Sequence, residues 1–100
     1  MDAGPIHAVL QHVRFAPGQS TGWHSHPGPN IVLVVGGSLT LTDEHCSVTT
    51  YGDGQGFATG LNTHRAVAGA SGADFYSLNF LPRDADSLRT DEAPPVCASK

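Results

Sequence analysis

Glycine and proline are spaced so closely along this chain that a long helix has no room to form. The 100 residues include 12 glycines and 7 prolines, the two residue types that destabilise a helix interior most. No window of about twelve or more residues keeps an uninterrupted apolar period of 3.6 residues. The spacing therefore predicts a protein of short strands with little helix.

The segments between these residues alternate apolar and polar side chains, as half-buried strands do. Val9, Val13 and Phe15 fall on one face of the first predicted strand, and His12 falls on the other. Further strands are predicted over 31–35, 38–42, around Val48 and over 75–81. Many short strands in one small chain favour an antiparallel sandwich or barrel.

Turns are predicted where glycine, aspartate and asparagine cluster between the strands. Gly36-Gly37 predicts a two-residue hairpin, because glycine adopts positive φ without steric cost. Further turns are predicted at 43–45, 52–54 and 68–72.

The length of 100 residues predicts one domain, which we assign to residues 1–82. Residues 83–100 mix charged and small side chains and contain Pro94-Pro95, so they predict a C-terminal arm or tail. One helical turn could form within 84–89. Cys46 and Cys97 have no paired spacing, so two unpaired thiols are expected.

Charge and hydropathy exclude several kinds of partner. Five Lys and Arg against nine Asp and Glu give a formal charge of −4, which leaves no basic stripe for nucleic acid. The longest apolar run, 31–35, is far shorter than the ~20 residues of a membrane span. Residues 1–5 do not resemble the start of a leader. We therefore expect no nucleic-acid or membrane partner, and a cytoplasmic location.

His24 and His26 carry the strongest chemical signal in the chain. On a strand, side chains two residues apart point the same way, so the two imidazoles can converge on one cation. A third histidine, His64, lies in a second glycine-rich stretch. Three neutral imidazoles with open coordination positions would form a reactive metal centre, whereas a closed four-ligand site would be structural.

Two motifs of this chain resemble those of the cupin superfamily. The first comprises Gly18, His24, His26, a polar residue at 30 and Gly37, with Asn30 where cupins usually have glutamate. The second comprises Gly52, Gly54, Gly60 and His64, with Ala58 in place of the usual proline. The resemblance covers about half of the chain.

This resemblance implies an all-β, cupin-like jelly-roll β-barrel of short antiparallel strands around one divalent metal ion. The implied ligands are His24, His26 and His64. Asn30 either adds a weak amide oxygen or caps the preceding loop. An uncharged amide leaves the ion more cationic than a glutamate would. Fe(II) is favoured, with zinc, manganese and nickel as alternatives.

Three functions remain open at this point, because cupins include proteins of many activities. The first is a non-haem iron dioxygenase-like oxidoreductase that acts on a small organic molecule at a three-histidine centre. The second is a redox-silent lyase, isomerase or cyclase, in which Tyr76 or His12 moves the proton. The third is a non-enzymatic small-molecule-binding or regulatory protein. Exposed edge strands and the resemblance to small cupins favour a homodimer.

Overall fold

Two long strands, both rich in alternating apolar residues, form the centre of the fold. In the computed structural model of the protein, which describes residues 6–99, β3 (Asn30–Asp43) and β6 (His64–Leu81) pair antiparallel over nearly their full length. Buried and exposed side chains alternate strictly along 30–35, and odd-numbered residues are buried along 73–81. One face of each strand is therefore directed to the interior.

Shorter strands flank this pair and complete a seven-stranded antiparallel sheet. They are β1 (His7–Phe15) and β2 (His24–Ser25), which pair with β6, β4 (Val48–Gly52) and β5 (Gly56–Thr59), which pair with β3, and β7 (Thr90–Asp91), which pairs with β2. Across residues 6–99 the one helical segment is a 3₁₀ turn, Val96–Ser99. No helix there has the length and hydropathy of a membrane span.

The core draws on both halves of the two long strands. Its buried apolar members are Val32, Val34, Leu39, Ala66, Ala68, Ala73 and Phe75. Since residues from both ends of β3 and β6 meet in one cluster, the sheet must curve around it. The predicted all-β barrel with little helix is confirmed.

The predicted hairpin at Gly36-Gly37 is wrong, because both residues lie inside β3. The register of β3 against β6 shifts on either side of the Gly36-Gly37 pair, and Gly37 has a φ of 67°. A Cβ at Gly37 would collide with the carbonyl oxygen of Gly72. The two glycines therefore allow β3 and β6 to approach closely where their pairing is irregular. This irregularity needs the same backbone conformations as a hairpin turn.

The C-terminal arm packs against the barrel. Ser25 of β2 pairs with Thr90 of β7, and the Glu92 N–H donates to the Trp23 carbonyl at 3.0 Å. Residues 84–89 contain no helical turn, so that prediction is wrong. The expectation of no leader was based on residues 1–5. These residues lie outside the part of the chain that the structure describes.

Cys46 and Cys97 form a disulfide, so the prediction of two unpaired thiols is also wrong. Their Cα atoms are 6.2 Å apart although 51 residues separate them in sequence. Spacing along the chain carries no information about such a contact, because only the folding back of the arm creates it. Disulfides are typical of oxidising compartments and rare in the cytoplasm. The disulfide therefore does not support the cytoplasmic location, which stays a prediction.

Candidate metal centre

Three buried or half-buried histidines converge inside the barrel. His24 on β2 lies directly opposite His64 at the start of β6, and His26 follows β2 by one residue. The ring centroids are 4.4 Å apart for His24 and His64, and 4.8 Å apart for His24 and His26. One nitrogen from each ring lies within 4.8 Å of the others. Adjacent nitrogens bound to one ion lie about 3 Å apart. Small rotations of the side chains would bring the three nitrogens to that distance.

Backbone carbonyls hold all three rings. The Nδ1 atoms of His24, His26 and His64 lie 3.0, 2.8 and 2.8 Å from the carbonyl oxygens of residues 22, 88 and 62. Because a carbonyl only accepts, each Nδ1 must carry the proton, which leaves the Nε2 lone pair free to bind a cation. Metal-ligating histidines are commonly oriented in this way.

The environment keeps these imidazoles neutral. Burial lowers the pKa of His24 from 6.5 to about 4, and it lowers the pKa of His26 and His64 as well. The backbone hydrogen bonds oppose this effect, whereas the nearby positive charge of Arg89 adds to it. At neutral pH the rings are therefore in the neutral form that metal binding requires, with Nε2 unprotonated.

The three rings line a cavity of about 140 Å³ within the barrel. Aromatic and aliphatic side chains such as Phe15, Phe57 and Phe75 form much of its wall. None of the described residues that line it carries a carboxylate, an ammonium or a guanidinium group. The cavity is therefore an apolar chamber. Its strongest metal-binding atoms are the nitrogens of the three imidazoles.

No protein-family model and no curated protein matches this chain, but solved structures do. A cupin superfamily protein from Desulfitobacterium hafniense aligns with a TM-score of 0.66 at 12% identity, over 82% of this chain and 83% of its own. KdgF from Halomonas sp. aligns with a TM-score of 0.68 at 25% identity, over 77% and 71%. This chain has the cupin fold.

A third solved structure is that of an enzyme of different size. The DMSP lyase DddQ from Ruegeria pomeroyi aligns with a TM-score of 0.74 at 16% identity, over 87% of this chain and 44% of the lyase. The cupin domain described here thus spans less than half of that lyase. The similarity shows a shared fold.

Asn30 stands where the cupin motif usually has glutamate, and it lines the same cavity as the histidines. The side chain is buried, and its Nδ2 donates to Ser77 Oγ at 2.8 Å and to Asn79 Oδ1 at 3.0 Å. These bonds connect it to β6, so the expected alternative, a cap on the preceding loop, is not observed. With Nδ2 occupied, Oδ1 is the atom that Asn30 can offer to a cation.

His12 and Tyr76 are not part of this cluster. They face each other across β1 and β6 on the outer surface, where their rings stack at 4.6 Å and His12 Nε2 contacts the Asp74 carboxylate. Their strand neighbours Gln11 and Ser77 line the cavity instead. A proton-transfer role for His12 or Tyr76 at this site therefore has no geometric basis.

Several residues of the site escaped the sequence analysis. Gln11 lies on the same face as Val9 and Val13, so the alternation of β1 was a sufficient signal for it. Ser77 has no such signal, because apolar residues lie on both faces of 75–81 and only the register of the strand places Ser77 inward. The carbonyl that holds His26 belongs to Leu88, and no sequence pattern marks a backbone acceptor.

Replacing Asn30 with alanine is expected to weaken zinc or cobalt binding by less than about tenfold, because the imidazoles remain in place. The same change should lower the free energy of unfolding by about 1–3 kcal/mol, since the buried Ser77 and Asn79 acceptors lose their donor. Calorimetric titration and denaturant unfolding measure the two effects. Asn62→Ala is the control, because it keeps the backbone carbonyl that holds His64. Complete loss of metal binding in Asn30→Ala would contradict this expectation and would show that Asn30 is a principal ligand.

Proposed function

We propose that this cupin chain is a metal-dependent enzyme that acts on a small organic molecule at a mononuclear centre of His24, His26 and His64. Fe(II) is the metal we favour, with dioxygenase-like oxidation as the reaction. The observation that carries the proposal is the orientation of the three rings, each held at Nδ1 by a carbonyl. A divalent ion held by three neutral nitrogens supplies Lewis acidity and open coordination positions, and iron also supplies redox chemistry with O₂.

The composition of the wall favours oxidation over proton transfer. A lyase or isomerase needs a side chain that gives or takes a proton within hydrogen-bonding distance of the substrate. Apart from the three histidines, the polar residues that line the described cavity are Gln11, Thr21, Asn30 and Ser77, which do not titrate near neutral pH. The chain's own contribution is to orient the imidazoles, hold the substrate and exclude water.

A redox-silent lyase is the second candidate, and the fold similarity to a DMSP lyase favours it. In such an enzyme the proton carrier would have to come from solvent or from the substrate, since His12 and Tyr76 lie on the outer surface. A small-molecule-binding or regulatory protein would use the same cavity without turnover. These two candidates differ from the first in consuming no O₂.

Metal content and O₂ uptake together test the proposal. Protein purified without oxygen is expected to retain one metal ion per chain by elemental analysis. The Fe(II)-loaded form should then consume O₂ with small β-diketones or thiols, and the Zn(II)-loaded form should not. Retention of zinc or manganese without O₂ consumption by any loaded form would overturn the oxidative reading. Exchange of a labelled α-proton under argon would then identify the lyase.

The predicted homodimer is a separate proposal. Leu10, Ile31, Leu33, Tyr76 and Leu78 line an apolar groove on the outer face of β1, β6 and β3. Four of them are 38–65% exposed. Apolar patches of this kind often mark protein contacts, which supports the proposed homodimer.

A further inference from the structure

The cavity wall offers a ligand few polar groups, and some of them are engaged within the protein. The Thr21 hydroxyl donates to the Gly22 carbonyl and accepts from the Ala66 N–H. The Ser77 hydroxyl accepts from Asn30. Apart from the three Nε2 atoms, the free polar groups of the described wall are the Gln11 amide, which makes no hydrogen bond, the Asn30 Oδ1 atom and the Ser77 O–H. A molecule with many hydroxyl groups would therefore leave most of them unsatisfied.

The nearest fixed positive charge is also engaged. Arg89 Nη2 donates to the Thr21 carbonyl at 2.9 Å and to Asp91 Oδ1 at 2.8 Å. Arg89 is not among the residues that line the cavity. A second anionic group on the ligand would thus lie in an apolar chamber without a partner, which is strongly unfavourable.

The size of the chamber sets a third limit. Its volume is about 140 Å³, and apolar cavities of about 150 Å³ hold a molecule the size of benzene. Phe57, which packs against Tyr51 with ring centroids 4.7 Å apart, forms part of the wall. The enclosed part of a ligand is therefore limited to about six to eight non-hydrogen atoms.

We infer that the substrate is a small, mainly apolar molecule with one metal-binding end and no second charged group. The metal-binding end rests on the proposed function, whereas the apolar body rests on the wall alone. Sugar acids and polyols are therefore expected to bind this chamber weakly. Phe57 limits the size of the enclosed part, and Gln11, Asn30 and Ser77 can offer it hydrogen bonds.

A matched pair of hydroxamates tests the charge limit on the Co(II)-loaded protein, in which ligand binding changes the visible absorption of the metal. Valerohydroxamate ends in a methyl group, and succinic monohydroxamate carries a carboxylate at a similar position. We expect the charged compound to bind at least about tenfold more weakly. Equal affinities would overturn the inference. Failure of Co(II) to bind the wild type would overturn the proposed function instead.

Benzene and benzohydroxamate test the apolar chamber and its size. Benzene is expected to bind the metal-free wild type, as ligand-observed NMR detects, and this result does not depend on the metal. Phe57→Ala should bind benzohydroxamate at least about tenfold more tightly than the wild type. Leu41→Ala, at another wall position, is the second variant, and Tyr76→Ala on the outer face is the control. The inference fails if benzene does not bind, or if both wall variants behave like Tyr76→Ala.

Discussion

Replacing His64 with alanine is expected to lower the affinity for a divalent ion by at least about 100-fold. Loss of a partner that merely orients a ligand already costs 10–100-fold, and His64 would be a ligand itself. His24→Ala and His26→Ala should have effects of the same size, because the three Nε2 atoms form one set. Titration calorimetry with zinc and the absorption of bound Co(II) measure the change.

His12→Ala and His45→Ala are the matched controls. Both histidines are exposed and lie outside the cavity, so their loss should leave metal affinity within about twofold of the wild type. Thermal unfolding checks that each variant retains the fold. If His64→Ala bound zinc as tightly as His12→Ala, the three-histidine centre would be refuted.

The sequence predicted the barrel because the patterns that indicate strands lie within short segments of the chain. The apolar run 31–35 and the apolar-rich segment 75–81 each indicate a strand without reference to the rest of the chain, and the structure places both segments in strands. The two glycines at 36 and 37 show the limit of such evidence. A hairpin and a strand irregularity use the same backbone conformations, and only the pairing of β3 with β6 distinguishes them.

The convergence of His24 and His26 was predictable because they lie two residues apart, whereas His64 was added through the resemblance to the cupin motifs. The outer-surface position of His12 was predictable too, since it alternates with the inward-facing Val13. Tyr76 was harder to place, because a shift of one residue in register reverses every side chain of a strand. The anchoring carbonyl of Leu88 lies 62 residues from His26, and such a contact exists only in the folded chain.

Removal of the Cys46–Cys97 disulfide is the second change with a large expected effect. The bond closes a loop of 51 residues, and the chain-entropy relation assigns such a loop about 4 kcal/mol of stabilisation. That is a substantial part of the 5–15 kcal/mol that holds a typical domain folded. We expect Cys46→Ser/Cys97→Ser to lose about this amount in denaturant unfolding. The wild type should lose the same amount when dithiothreitol reduces it.

The same bond anchors the arm that supplies the carbonyl of Leu88 to His26. The arm is also held by the two-residue pairing of β7 with β2 and by contacts that include those of Arg89 and Glu92. Release of the arm should therefore also weaken zinc binding, by about 10–100-fold, because His26 loses the acceptor that orients it. The double variant should not respond to dithiothreitol in the unfolding assay, which separates the bond from other effects of the reductant, and zinc affinity is compared between the wild type and the double variant without reductant. Unchanged zinc affinity in a destabilised double variant would show that β7 alone positions Leu88.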